Sequence, residues 1–150
     1  MNKNIIGIAI AILVLGGIIW FARPGSQNNT ATSVKSNGTL SVQEANNYDF
    51  GTISMAAGKV KHSFKIKNAS AEPVVIKTIY TSCMCTTATL LKGDKQFGPY
   101  GMPGHGFIPK INETINPGEE AAVEVVFDPA AHGPAGVGRI QRAVAIENNA

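Results

Sequence analysis

Val60-Lys61-His62-Ser63-Phe64-Lys65-Ile66-Lys67 alternates apolar or ring-bearing side chains with polar ones, without a slip. Val60, His62, Phe64 and Ile66 fall on one face, and the lysines with Ser63 on the other, which is the period of a half-buried β-strand. Asn68-Ala69-Ser70-Ala71 follows as a turn. Val74 to Thr81 (VVIKTIYT) is β-branched and aromatic, so it predicts a second strand running straight into Ser82-Cys83-Met84-Cys85-Thr86. Upstream, Tyr48 to Ile53 predicts a short edge strand that opens the domain. Downstream, Asn116-Pro117-Gly118-Glu119 is a turn signal. Ala121 to Phe127 (AAVEVVF) reads as a strand ended by Asp128-Pro129, and Arg139 to Ile146 as another. No segment beyond residue 21 carries a 3.6 period. Short strands punctuated by turns predict an all-β fold, a β-sandwich. Two glycine-rich stretches, Lys92 to Lys110 and Ala130 to Gly138, read as loops long enough to be functional.

The other end of the chain has a different character. Ile5 to Phe21 (IIGIAIAILVLGGIIWF) is apolar and carries no charge. At about 1.5 Å per residue it reaches most of a roughly 30 Å hydrocarbon layer. It exceeds the ~7–15-residue apolar region of a cleaved signal, and Arg23-Pro24-Gly25 follows it rather than a small-residue cleavage site. The run reads as a single transmembrane helix that is retained as a signal-anchor. Lys3 and the free N-terminus outweigh Arg23, which places residues 1–4 in the cytoplasm and the remainder outside it. Residues 22–45, rich in Ser, Thr, Asn and Gly, read as a flexible linker. Residues 46–150 are left as one domain. The net charge of +3 comes from dispersed lysines, so nucleic acid is not an expected partner. The membrane is.

Cys83 and Cys85 are the chain's only two cysteines. In a flat strand their Cα atoms would stand roughly 6.6 Å apart, while a disulfide needs Cβ atoms about 3.5–4.5 Å apart. Either the backbone bends there or the sulfurs serve something else. Met102 and His105 lie in the first glycine-rich stretch and His132 in the second. Loops at one end of a sandwich cluster, so Cys83, Cys85, Met102, His105 and His132 are candidate metal ligands. Thiolate, thioether and imidazole together suit copper, Cu(I) in particular, and zinc less specifically. His62, between Val60 and Phe64, reads instead as a partly buried histidine hydrogen-bonded inside the domain. Thiol exchange is a further reading, disfavoured because no cation adjoins the cysteines in sequence to acidify them. The carboxylates show no paired arrangement, Ser82 has no identifiable base, and neither glycine-rich stretch has the strand–loop–helix setting of a phosphate-binding loop. The chain does not read as an enzyme.

Several motifs occur together: Tyr48-Asp49-Phe50-Gly51, Gly58-x-Val60-x-His62-x-Phe64-x-Ile66-x-Asn68, Ser82-Cys83-x-Cys85-Thr86, Pro117-Gly118-Glu119 and Phe127-Asp128-Pro129. As a set, over about residues 46–148, they resemble the bacterial domain-of-unknown-function family numbered 1573. That family is in turn similar to the Ig-like domains of Hydin-type cilia and centrosome proteins. The resemblance implies an Ig-like sandwich, exported and often anchored in the bacterial envelope, and it implies no established activity. Met84 stands where such relatives usually carry glycine, and the chain stops at Glu147-Asn148-Asn149-Ala150, where a further strand is expected. That ending leaves either a fragment or an exposed sheet edge, and an exposed edge invites strand addition by a protein partner. The function expected is thus an extracytoplasmic, membrane-anchored interaction module, with a copper-binding domain as the alternative.

Overall fold

The computed structural model describes residues 38–150. The expected anchor Ile5–Phe21 and the linker up to residue 37 lie outside the described residues. Among those described, no helix is long and apolar enough to cross a membrane.

Eight strands follow one another in the described chain: β1 Leu40–Val42, β2 Val60–Asn68, β3 Val74–Thr81, β4 Thr86–Lys92, β5 Lys95–Tyr100, β6 Glu113–Ile115, β7 Glu120–Phe127 and β8 Val144–Asn148. They form two sheets, ordered β1-β2-β7-β4-β5 and β6-β3-β8, with every pairing antiparallel. One core joins them. Ile66, Ala88, Leu90, Ala121, Val123 and Val125 come from the five-stranded sheet, and Val74, Ile76, Ile79 and Ile115 from the three-stranded one. The fold is all-β and sandwich-like, as the alternation predicts.

The strands read from the sequence at Val60–Lys67, Val74–Thr81, Ala121–Phe127 and, in part, Arg139–Ile146 are present, and their faces have local causes. In β7 the buried Ala121, Val123 and Val125 alternate with residues that are less buried. In β3 the buried set shifts parity from Val74 and Ile76 to Ile79 and Thr81. A register shift against β8 between Ile76 and Thr78 absorbs the change, because one extra residue turns every later side chain to the other face.

Four boundaries differ from expectation. The 22–45 linker is too long, since Leu40–Val42 pairs with Ile66–Asn68; three residues are too few to show a period. Tyr48–Ile53 is not a strand. Asp49 Oδ1 accepts the Gly51 N–H at 2.7 Å, and Gly51 has φ +65°, so an Asx turn breaks the extended run. Tyr48 instead stacks on His62 with ring centroids 3.7 Å apart, and His62 meets Phe64 edge-on at 4.7 Å. His62 is therefore held by aromatic rings. The Lys92–Lys110 loop contains a hairpin, with β5 returning along β4 in the pairing Lys92↔Lys95. Finally, β8 starts at Val144, five residues after Arg139.

Polar ties fasten the end of the domain away from the cysteines. Asn68, fully buried, donates from Nδ2 to the carbonyls of Glu72 and Ile115 at 2.8 Å each and accepts the Ser70 N–H on Oδ1. Lys92 on β4 pairs with Glu113 on β6 at 3.0 Å and with Glu119 at 3.2 Å, and it also donates to the Thr114 carbonyl. These contacts bind one sheet to the other.

Candidate functional site

β3 lies in the smaller sheet and β4 in the larger, so the chain changes sheets between Thr81 and Thr86. It does so through a turn closed by the Thr86 N–H on the Cys83 carbonyl at 3.1 Å. The buried Thr81 hydroxyl donates toward the carbonyls of Cys83 and Thr86, at 3.0 and 2.9 Å. The backbone bends at the cysteines, and no disulfide joins them. Both cysteines are free thiols facing inward, 9% and 3% exposed. The Cys85 N–H lies 3.4 Å from Cys83 Sγ.

A second crossing between the sheets, from β7 to β8, lies against this corner. At its start, the Asp128 N–H donates to the Cys85 carbonyl at 2.8 Å, and Asp128 Oδ1 accepts the Ala130 N–H at 2.9 Å. The turn that follows carries His132, whose Nε2 lies 3.2 Å from Cys83 Sγ. A short 3-10 turn, Gly133–Gly136, comes next. A Cβ on Gly136 would lie 2.9 Å from the His132 Cβ, so only glycine leaves the imidazole where it is. At the far end Arg142 Nε donates to Cys85 Sγ at 3.2 Å. Ser82 and Ala143 exchange two hydrogen bonds of 2.9 Å, Ser82 N–H to the Ala143 carbonyl and Ala143 N–H to Ser82 Oγ. The segment is a strap pinned to the cysteine corner at both ends.

The ligand atoms of Cys83, Cys85 and His132 all lie within 4.8 Å of one another. Metal–sulfur bonds of about 2.3 Å and metal–nitrogen bonds of about 2.0 Å fit inside such a triangle. Two sulfurs and one imidazole are a soft donor set. Burial pushes the Cys85 thiol up. Hydrogen bonds from Cys83, Arg142, Thr86 and His132 together outweigh it and lower its pKa to about 7. The Cys85 contact in turn raises the pKa of Arg142, against the desolvation that opposes it.

Of the four cysteines and histidines expected to converge with Met102, the structure unites three. His105 is outside the group; it is exposed, on a turn closed by its own N–H to the Met102 carbonyl at 3.2 Å. Met102 is half-buried and follows Gly101, whose carbonyl accepts the Thr81 N–H at 3.0 Å. That contact places the start of the loop beside the strand leading to Cys83. Arg142 was not among the expected residues. It stands 57 positions from Cys85, and only the pairing of β3 with β8, Thr81↔Val144, brings it there. The absence of a neighbouring cation holds along the sequence and fails in space.

No curated protein and no solved structure matches the chain. A family model matches residues 40–98, a stretch that contains both cysteines and leaves His132 and Arg142 beyond its end. The family is described as a protein of unknown function (DUF1573), and over this segment the chain is similar to it.

Proposed function

We propose that this domain binds a soft, thiophilic metal ion, copper foremost, through Cys83, Cys85 and His132. The observation that carries the reading is the 4.8 Å triangle of two sulfurs and one imidazole. Three donors match the low coordination number of Cu(I), whereas structural zinc takes four protein ligands. Binding and holding the ion is the whole of the proposed activity, with no catalytic step. The domain is read as an Ig-like sandwich, tethered by Ile5–Phe21 and displayed outside the cytoplasmic membrane.

The test uses the full chain in mild detergent under reducing, anaerobic conditions. Cu(I) supplied from a chromophoric chelator is expected to transfer at one ion per chain, and the Cys83→Ser/Cys85→Ser variant to leave the chelator loaded. Equal copper on both proteins refutes the site. The tether is tested separately. Replacing Leu13 and Val14 with arginines is expected to release the protein from the membrane fraction or block its export, and unchanged retention refutes a spanning role.

A second reading, recognition of a protein partner, is favoured by the outer edge of β8. Of the four edge strands, β1 and β6 have three residues each, β5 has six but is interrupted by Gly98-Pro99, whose proline has no N–H to offer, and β8 presents five residues without a proline. An extended partner segment could add there. Unlike copper binding, this reading is indifferent to the cysteines.

A further inference from the structure

The strap brings a permanent cation to the donor triangle, and that bears on which ion the triangle accepts. Arg142 Nε donates to Cys85 Sγ at 3.2 Å, and Nη1 is fixed on the Gln141 carbonyl at 2.8 Å, so the guanidinium has a defined place. Arginine stays charged at any relevant pH. Metal binding removes the thiol protons, so a loaded site contains two thiolates, a neutral imidazole and this guanidinium. Their formal charges sum to minus one. A monovalent ion brings the site to neutrality, whereas a divalent ion leaves a net positive charge beside Cys83 and Cys85, residues that are 9% and 3% exposed, with only His132 on the solvent side of the triangle. Uncompensated charge is costly where water is excluded.

Asp128, which is also charged and lies at this corner, does not alter the count. Asp128 turns its carboxylate to the Ala130 N–H at 2.9 Å and to Lys59 at 3.9 Å, so it already faces a cation of its own.

Resting on the reading of Cys83, Cys85 and His132 as ligands, we infer that Arg142 is the residue that sets the site's preference for a monovalent soft cation, Cu(I), over a divalent one, Zn(II). It acts through Cys85 rather than by ligation, as a positioning and charge-setting residue. Its outer face is open to solvent, which screens the effect. Even near the water limit, one unit of charge at roughly 5 Å corresponds to about a fourfold change in affinity.

The measurement is the ratio of Cu(I) to Zn(II) dissociation constants, obtained by chelator competition on the full chain in detergent, for wild type, Arg142→Gln and Arg142→Lys. Circular dichroism checks the fold of each variant. In Arg142→Gln the preference for Cu(I) over Zn(II) is expected to fall by about fourfold or more. In Arg142→Lys, which keeps the charge, the ratio is expected to stay closer to wild type than to Arg142→Gln. A merely structural arginine would weaken both ions alike and leave the ratio unchanged. A smaller fall in the glutamine variant, or a lysine variant that behaves like it, overturns the inference while leaving metal binding intact. Should Arg142→Gln not fold, the lysine variant decides, and a fall of about fourfold or more there overturns the inference. Failure of wild type to bind either ion overturns both readings.

Discussion

Arg142 and Cys85 meet across 3.2 Å, the Nε–H of one aimed at the sulfur of the other. A charge-assisted contact of this kind favours the thiolate. It also needs the strap to be in place, since Arg142 arrives only after the chain has crossed from β7 toward β8. Acidity at Cys85 is thus a report on the folded arrangement of two segments.

The first prediction concerns that acidity. Cys85 is lowered from 9.0 to about 7, so the rate of its alkylation by iodoacetamide, read by tandem mass spectrometry against pH, is expected to rise with a midpoint near 7. In Arg142→Gln the midpoint is expected to move upward. Because the folded value is depressed, the thiolate contributes stability that is fully present above the unfolded value and is lost as pH falls through the folded one. A midpoint that does not move on removing the guanidinium would show the contact to be electrostatically idle.

Gly136→Ala should disturb the site without touching a proposed ligand. The added Cβ would sit 2.9 Å from that of His132, on a short 3-10 turn. The imidazole must shift from Cys83, and Cu(I) affinity is expected to fall by about tenfold, in the range seen when a ligand's support is lost. His132→Ala is expected to cost at least as much. Gly133→Ala is not the equivalent control, because Gly133 has φ +60°.

Asn68→Ala is expected to lower stability by about 2–3 kcal/mol, since it strands buried backbone groups. Asn68 is fully buried and serves the carbonyls of Glu72 and Ile115 together with the Ser70 N–H. Urea denaturation measures the change. A loss below about 0.5 kcal/mol would mean that water replaces the side chain there.

Acid should loosen the tie between the sheets. The Lys92 hydrogen bond foremost, with Lys95 assisting and burial opposing, holds Glu113 below the usual carboxylate range. Its folded pKa lies below its unfolded one, so its contribution is present above the ordinary carboxylate range and disappears as pH falls through the lower, folded value. The urea midpoint is expected to drop over that window in wild type and to drop less in Glu113→Gln. Parallel curves would remove Glu113 as a cause.

Much of the sandwich was legible because β2, β3 and β7 carry their burial in alternation or β-branching. Thr86–Lys92 (TTATLLK) is buried at consecutive positions Ala88, Thr89 and Leu90, so it shows no alternation and escaped notice as a strand. β5 hid within a run of glycine and proline, and β1 and β6 are too short to show any period. Of the site, Cys83, Cys85 and His132 were legible as chemistry: soft ligands are few, and two loops carried the histidines. Which histidine arrives was not legible, since the choice of His132 over His105 depends on the strap's attachment at Ser82 and Ala143. Arg142 was invisible for the same reason.

The cysteine corner and the strap are two separate passages of the chain between the same pair of sheets, joined side by side. Held together at Cys83–His132, Cys85–Arg142 and Ser82–Ala143, they act mechanically as a buckle. Each passage carries the backbone from one sheet to the other, so the fastening holds two sheet-to-sheet connections together. An ion seated on Cys83, Cys85 and His132 would lock the buckle, so loading this small site should change how much force the whole domain withstands.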